Sequence, residues 1–333
     1  MGRMTEACYK ALTEHTEPII RSKYNRWVST RPLVVETQNA SNELESSPIL
    51  NQLLCDRNPD GRIPYHPYDK WFGAHWVLSI LADLGYPEGD KTLKPMQEQC
   101  YRVWLSKEHE KYIRTINGRV RRCASQEGNC IYYSLALGLA DERTEELAAR
   151  LIKWQWDDGG WNCDKNPEAS KSSFHETLIP LRGLARYAKL SGDPKAERAV
   201  ARAGEVFLKR YLYKRSSDGK IMDKNFITLH YPSYWHYDIL FGLKVMVEAG
   251  LIEDPRCAET LDLLESKQLP DGGFPAEDRY YRVDDKKLSG HSHVDWGGTS
   301  KLRMNPFVTL DALMVLKQAG RLASLLQLPS MRI

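Results

Sequence analysis

The chain has 333 residues, of which 42% are hydrophobic and 27% charged, a composition typical of a globular protein with a substantial core. Its 47 lysines and arginines nearly balance 44 aspartates and glutamates, and this net charge of +3 predicts neither a nucleic-acid nor a membrane partner. No apolar run reaches the length of a membrane span, no secretory signal is visible, and the seven cysteines form no CxxC pair, so we expect a cytoplasmic protein with reduced thiols.

The N-terminal part of the chain lacks the pattern that dominates the rest. Residues 1–48 contain two helical stretches within residues 4–29, followed by the polar segment ETQNASNELESS. We expect residues 1–48 to form an N-terminal helical extension that packs outside the main domain or over one of its openings. Residues 49–333 are predicted to form that main domain.

One helical unit recurs along residues 49–321. It consists of a short helix, a glycine-containing turn with an aromatic residue behind it, and a second, more apolar helix. Asp-Gly and Gly-Gly pairs supply the positive φ that a tight turn needs, and a glycine also ends several of the second helices. The turns lie at residues 59–65, 124–129, 157–161, 216–220 and 270–275, and the terminal glycines are Gly85, Gly192, Gly250 and Gly320.

The second helix of each unit is apolar on most of its circumference, which predicts burial on several sides. Helical hairpins with buried inner helices form either an open solenoid or a closed ring. The aromatic residues at the turns and the length of the chain favour the ring. We therefore predict an all-α fold, an α/α toroid of about five to six helical hairpins, with a narrow aromatic cavity and several titratable groups where the inner helices begin.

Two of the turns resemble a known repeat. KWQWDDGGW at residues 153–161 and KQLPDGGF at residues 267–274 are similar to the repeat of squalene and terpenoid cyclases and of protein-prenyltransferase β subunits. The resemblance covers roughly residues 49–321. It implies the α/α toroid and a soluble enzyme that acts on an apolar or part-apolar, isoprenoid-like small molecule in a central cavity.

The motifs that carry the chemistry of those families are missing from this chain. It has neither the DxDD motif of cyclases nor the DDxxD motif of terpene synthases, and Asp295-Trp296-Gly297 lacks the cysteine of the Asp-x-Cys pair that zinc prenyltransferases use. The resemblance therefore implies acid–base or metal-assisted lyase, isomerase or cyclase chemistry without choosing among them. A zinc-dependent prenyl-type transferase and a non-catalytic ligand-binding or interaction barrel are the alternatives.

The segment His291-Ser-His293-Val-Asp295 predicts a metal site. In an extended segment alternate residues point the same way, so two imidazoles and one carboxylate would converge on one face. This ligand set suits zinc or another divalent metal with open positions. The alternative interpretation is a solvated loop without a bound ion.

Candidate catalytic groups flank the starts of the predicted inner helices, where free N–H groups favour anions. A thiol or carboxylate near an imidazole would give a nucleophile–base or acid–base pair. Helix capping by Ser172 or Ser173 with Glu176 is the alternative explanation for one of these segments. The residues predicted to act in catalysis are His175, His236, Asp295, Cys163 and Asp164.

Substrate-binding residues are predicted from basic and aromatic clusters. The run Arg119-Val-Arg121-Arg122, with Glu127 nearby, predicts an anion site, although a solvated basic face is the commoner meaning of such a run. Aromatic residues near the inner helices would line the cavity or simply fill the core. The predicted substrate-binding residues are Trp71, His75, Arg119, Arg122, Glu127, Tyr132, Tyr234 and Trp296.

Overall fold

The computed structural model describes residues 4–29, 44–284 and 286–322. Within these ranges the chain is mostly α-helical, with thirteen α-helices and two small two-stranded sheets. None of the helices in the described ranges is both long enough and apolar enough to cross a bilayer. Residues 30–43 of the predicted N-terminal extension lie outside the described residues.

The elements are numbered in chain order. The helices are α1 (Glu6–Thr13), α2 (Pro18–Lys23), α3 (Pro48–Leu54), α4 (Ala74–Leu84), α5 (Lys94–Trp104), α6 (Lys107–Glu110), α7 (Ser125–Ala136), α8 (Glu142–Trp154), α9 (Phe174–Ser191), α10 (Pro194–Leu208), α11 (Ile239–Glu248), α12 (Ala258–Glu265) and α13 (Pro306–Gln318). An antiparallel hairpin consists of β1 (Arg114–Ile116) and β2 (Arg119–Arg121), and a short parallel pair consists of β3 (Arg282–Val283) and β4 (His291–Ser292).

The turns of the two clearest sequence repeats fold alike. Gln155 donates a hydrogen bond from Nε2 to the carbonyl oxygen of Gly159 at 2.8 Å, and Gln268 donates to that of Gly272 at 2.8 Å. Both glycines have positive φ, 104° and 87°, which a residue with a side chain rarely adopts. The glutamine that precedes each turn therefore closes it in the same way.

The aromatic residue after each of these turns is buried against the next inner helix. Trp161 and Phe274 have exposed fractions of 1% and 0%. The N–H of Trp161 donates to the hydroxyl of Thr177 at 3.1 Å, and the N–H of Phe274 donates to that of Thr309 at 2.9 Å. This shared bonding ties each turn to the helix that follows it and explains why the two sequence motifs are alike.

Of two further predictions from the repeat, one on helix-ending glycines is confirmed and one on a turn is wrong. The four glycines predicted to end helices all have positive φ, between 65° and 78°. The turn predicted at residues 124–129 is not formed, because α7 begins at Ser125 and runs through this segment. Its Gly128 serves the packing of α7 instead of a turn.

The inner helices pack on one another in chain order. Contacts run from α4 to α7, then to α9, α11 and α13, and α13 packs on α2 and the π-helical turn Tyr24–Val28. Helices α7 and α9 approach each other closely: a Cβ on Gly128 would lie 2.6 Å from the backbone nitrogen of Pro180. Glycine is needed there because two helix backbones meet with no room for a side chain.

The described part of the N-terminal extension shares the hydrophobic core with the rest of the chain. Cys8 and Leu12 of α1 and Ile19 of α2 are fully buried in that core. Lys23, at the end of α2, donates to the carboxylate of Asp311 in α13 at 2.9 Å. Residues 4–29 therefore share the core and an ion pair with α13.

Candidate functional site

Two thiols and one carboxylate meet where α7 and α9 begin. One ligand atom each from Cys123, Cys163 and Glu176 lies within 4.8 Å of the other two. All three side chains are partly exposed to solvent. We call this group the thiol–carboxylate cluster; it is one of two groups among the described residues in which three His, Cys, Asp or Glu side chains bring their ligand atoms within 4.8 Å of one another.

Backbone hydrogen bonds bring the three residues of the cluster together. The N–H of Arg122 donates to the carbonyl oxygen of Asn162 at 3.2 Å, so the segments that precede Cys123 and Cys163 lie side by side. Glu176 lies in the first turn of α9, and its Oε2 accepts from the N–H of Ser125 at 3.0 Å. Its Oε1 lies 3.8 Å from the sulfur of Cys163.

The two thiols differ in how easily they ionise. A hydrogen bond between Cys123 and Cys163 lowers the pKa of the Cys163 thiol and raises that of Cys123. Burial raises the pKa of Glu176, against the hydrogen bond from Ser125 that favours its charged form. Cys163 is therefore the thiol that supplies a thiolate first, and Glu176 holds a proton more readily than an exposed glutamate.

Three rings form a continuous stack beside this cluster. The ring centroids of Trp235 and His236 are 4.1 Å apart, and those of His236 and Tyr280 are 3.8 Å apart. The ammonium group of Lys70 lies 4.9 Å from the ring centroid of Trp235, and burial lowers the pKa of this lysine against the opposing effect of Cys123. His175, which precedes Glu176 in α9, has its ring centroid 5.4 Å from that of Trp235, so the aromatic stack (Trp235, His236, Tyr280) lies near the start of α9.

Burial makes the imidazoles of His236 and His175 harder to protonate. Burial, together with the nearby groups of His230, His175 and Lys70, lowers the pKa of His236 to about 3. Burial also lowers the pKa of His175, whose ring centroid is 5.4 Å from that of Trp235. A neutral imidazole can accept a proton or bind a metal ion without first losing a charge.

The predicted catalytic residues are only partly brought together. Cys163 belongs to the cluster, and His175 and His236 both contact Trp235. Asp164 is exposed and accepts from the N–H of Asn166 at 2.9 Å, which is a turn interaction. Asp295 is also exposed, and it accepts from the N–H of Gly297 at 2.9 Å.

The three residues of the predicted metal site have different neighbours and do not converge. Only His291–Ser292 of this segment is a strand, so the expected alternation does not extend to Asp295. The Nδ1 atom of His291 is 3.7 Å from the carboxylate of Asp284. His291, His293 and Asp295 do not form one of the two ligand groups found among the described residues.

His293 belongs instead to the second ligand group, with Cys55 and Asp56. Its Nε2 is 3.8 Å from the sulfur of Cys55. The ammonium group of Lys287 pairs with Asp56 and lies 3.2 Å from Nδ1 of His293. A fixed positive charge among these ligands opposes the binding of a cation, which favours the thiol–carboxylate cluster as the candidate metal centre.

Several predicted substrate-binding residues fill the core instead of lining a cavity. Trp71 and Tyr234 stack on each other with centroids 4.0 Å apart, and both are buried. Trp296 is buried and donates to the hydroxyl of Ser292 at 3.3 Å. His75 has an exposed fraction of 0% and lies apart from the aromatic stack, against Trp76 and other buried rings.

The arginines of the basic run do not share one anion. Arg122 donates from Nε to Glu127 at 2.8 Å, and both residues are buried, so the charge of Arg122 is already neutralised. The guanidinium groups of Arg119 and Arg121 lie over the ring of Trp156, with centroid distances of 5.8 and 4.6 Å.

Tyr132 belongs to a different region, towards the C-terminal ends of the inner helices. Its hydroxyl group is 2.7 Å from Nη2 of Arg182. Sequence reasoning missed the buried and half-buried charged residues around it, although single charged residues within the apolar runs of the inner helices are a visible signal. They are Asp83 in α4, Arg182 in α9, Lys244 and Glu248 in α11, and Asp311 in α13.

No protein-family model matches the chain, and no curated protein matches it. The functional argument therefore depends on the geometry of the chain's own side chains.

Proposed function

We propose that this protein is an enzyme that acts on an apolar or part-apolar small molecule, with its catalytic centre at the thiol–carboxylate cluster. The observation that carries the proposal is the meeting of Cys123, Cys163 and Glu176 within 4.8 Å, in a partly exposed position at the starts of two inner helices. Perturbed titratable groups in such a position are a feature of catalytic sites.

The proposed architecture is a closed α/α toroid. The sequential packing of α4, α7, α9, α11 and α13, with α13 on α2, supports this closure. So does the ion pair network that joins α2 and α4 to the last of these helices: Lys23 and Lys244 both contact Asp311, and Lys244 also contacts Asp83 at 2.7 Å. In a toroid the cluster lies at the mouth where the inner helices begin.

The donor set of the cluster fits a divalent metal, and zinc best. Thiolates favour zinc, and a site with three protein ligands leaves a position for water or substrate. Cys163 is the more acidic thiol, so it would release its proton first on binding. Bound zinc would supply Lewis-acid chemistry.

In acid–base chemistry without a bound metal, Glu176 is the proposed proton carrier. Burial raises its pKa, so this carboxyl group binds a proton at higher pH than an exposed glutamate does. The Ser125 N–H fixes the position of Oε2, while Oε1 faces Cys163. The aromatic stack beside the cluster offers π faces to the apolar part of a substrate, and Lys70 adds one positive charge there.

A zinc-dependent prenyl-type transferase is the second candidate, and the two thiols of the cluster favour it. Transfer from a diphosphate also needs an anion site. The neutralisation of Arg122 by Glu127 argues against the basic run as that site.

Metal content tests the catalytic centre directly. Native protein purified without chelator is compared with the Cys163→Ser and Cys55→Ser variants by inductively coupled plasma mass spectrometry. We expect about one zinc per chain in native protein and in Cys55→Ser, and loss in Cys163→Ser. Loss of zinc in Cys55→Ser alone would assign the metal to the second ligand group, which contains Cys55. Native protein without zinc would restrict the proposal to acid–base chemistry.

Conversion of an isoprenoid tests the substrate class. Farnesol and farnesyl diphosphate are incubated with native protein, with Glu176→Gln and with the exposed control Glu197→Gln, and products are analysed by mass spectrometry. We expect conversion of one of these probes by native protein and Glu197→Gln, and loss in Glu176→Gln. If native protein neither binds nor converts either probe, the isoprenoid assignment is wrong.

A further inference from the structure

A cavity of about 320 Å³ lies among the C-terminal halves of α4, α7, α9, α11 and α13, beside residues 26–27. It is separate from the thiol–carboxylate cluster. Glu176 and Arg186 are ten residues apart in α9, which corresponds to about 15 Å along the helix axis. A volume of this size accommodates a small organic ligand.

The floor of this cavity is a charge-balanced network. Lys244 donates to Asp83 at 2.7 Å and to Asp311 at 2.9 Å. Arg182 donates to both oxygens of Glu248, at 2.6 and 2.7 Å, and to Asp83 at 2.8 Å. With Lys23, which also pairs with Asp311, the network has three cations and three carboxylates. Its carboxylates are therefore already paired with protein cations.

The rim of the cavity is not balanced in the same way. Three of its residues are cationic, Arg26, Arg186 and Lys189, and one is acidic, Glu88. Arg186 lies 3.4 Å from Glu88. Arg26 donates to the carbonyl oxygen of Gly85 at 3.0 Å, and Lys189 has no ion pair within the described ranges. The rim therefore carries an excess of two positive charges.

The wall between floor and rim is partly apolar. It is formed by Trp27, Ala82, Ala136, Val247 and Met314, together with the ring of Tyr132. A ligand that fits this cavity needs an apolar body for the wall and a negative group for the rim, since the floor offers no unpaired charge of either sign.

We propose that this cavity is a second ligand site, for a small organic anion such as a carboxylate or a phosphate monoester with an apolar body. Arg186 and Lys189 bind the anionic group, and the apolar wall contacts the rest of the ligand. The site is independent of the proposed catalytic centre, because its residues lie at the opposite end of the inner helices.

Phenyl phosphate tests this proposal, with benzyl alcohol and benzylamine as neutral and cationic molecules of similar shape. Binding to native protein is measured by isothermal titration calorimetry at low salt. We expect phenyl phosphate to bind at least about tenfold more tightly than either analogue, and added salt to weaken it. Equal or tighter binding of benzylamine would overturn the assignment of an anion site.

Variants locate the binding. Arg186→Gln and Lys189→Gln are each expected to lower the affinity for phenyl phosphate about threefold or more. Lys195→Gln, an exposed control outside the cavity, should leave this affinity unchanged. Cys163→Ser should also bind phenyl phosphate with native affinity. Loss of binding in this variant would mean that a metal at the thiol–carboxylate cluster holds the phosphate. Native affinity in both rim variants would show that the cavity is not the site.

Discussion

The carboxylate of Glu176, in the first turn of α9, accepts a hydrogen bond from the backbone N–H of Ser125 at the start of α7, with an N–O distance of 3.0 Å. One acidic side chain thereby joins the ends of two inner helices. Its other oxygen lies 3.8 Å from the sulfur of Cys163. The negative charge of Glu176 therefore opposes ionisation of both thiols, and its effect on the pKa of Cys163 can be measured.

Replacing Glu176 by glutamine should make Cys163 more acidic. The negative charge of Glu176 opposes ionisation of Cys163, so its removal lowers the pKa of this thiol. Glutamine keeps an oxygen that can accept from Ser125, which preserves the helix contact. We expect the pH profile of Cys163 alkylation by iodoacetamide, measured on chelator-treated protein by peptide mass spectrometry, to move to lower pH.

The exposed Glu197, in the first turn of α10, provides the matched control. Glu197→Gln removes a charge of the same type at a helix start without contacting the cluster, and its alkylation profile should match that of native protein. Superimposable profiles for Glu176→Gln and native protein would contradict the electrostatic role assigned to Glu176.

The aromatic residues behind the repeat turns should stabilise the fold without taking part in the site. Trp161 and Phe274 are fully buried, and truncation of either to alanine is expected to lower the free energy of unfolding by about 3–5 kcal/mol. Chemical denaturation measures this loss, and metal content should not change. The exposed Tyr112, replaced by alanine, should have little effect on unfolding. Loss of metal from folded Trp161→Ala would contradict a purely structural role of this residue.

The helical repeat could be predicted because its determinants are local. Gln155 bonds within the glycine turn, and Trp161 bonds to Leu151 of the preceding helix α8 and to Thr177 of the next inner helix, so a short sequence motif carries most of the geometry. Glycine failed as a turn signal at Gly128, because the same residue also permits close packing of helix backbones. Sequence alone does not distinguish these two uses of glycine.

The site was predictable only in part because its residues are distant in sequence. Cys163 could be singled out from its position after a repeat turn, whereas its partner Cys123 follows the hairpin β1–β2, which the sequence analysis did not predict. Glu176 has the spacing of a capping residue, and it does cap a helix, but the helix is α7 and not its own. The convergence expected of His291, His293 and Asp295 assumed a longer strand than the chain forms.

Enlarging Gly183 should separate α7 from α9. A Cβ at this position would overlap the carbonyl oxygen of Gly128, which is backbone and cannot move aside easily. We expect Gly183→Ala to lower the free energy of unfolding by about 1–3 kcal/mol, despite the better helix propensity of alanine. Because the Ser125–Glu176 bond spans the same two helices, the alkylation profile of Cys163 should also change.

Gly204 of α10 is the control for this substitution. A Cβ there would meet a terminal methyl group of Leu251, a flexible side chain that can rotate away. Gly204→Ala should therefore be nearly neutral in denaturation and should leave Cys163 unaffected. Equal stability of the two variants would mean that the contact of α7 with α9 tolerates an added methyl group.

The buried network around Asp83 should determine how the protein responds to acid. Burial opposes ionisation of this carboxyl group, but Lys244, Arg182 and Lys23 together hold its pKa below its usual range. A carboxyl group with a depressed pKa stabilises the fold above its unfolded pKa of about 3.9, and that contribution is lost as the pH falls through its folded pKa. The cations therefore protect the fold against acid.

Replacing Lys244 by methionine should remove much of this protection. Asp83 and Asp311 would lose a buried partner, so we expect the free energy of unfolding at neutral pH to fall by about 3–5 kcal/mol. The folded-state pKa of Asp83 would rise, and acid unfolding followed by circular dichroism should begin at higher pH than in native protein. Lys189→Met, at the rim of the same cavity, removes an equal charge without breaking the network and should unfold as native protein does. If the two variants have the same acid midpoint, Lys244 does not hold the Asp83 carboxylate in its charged form.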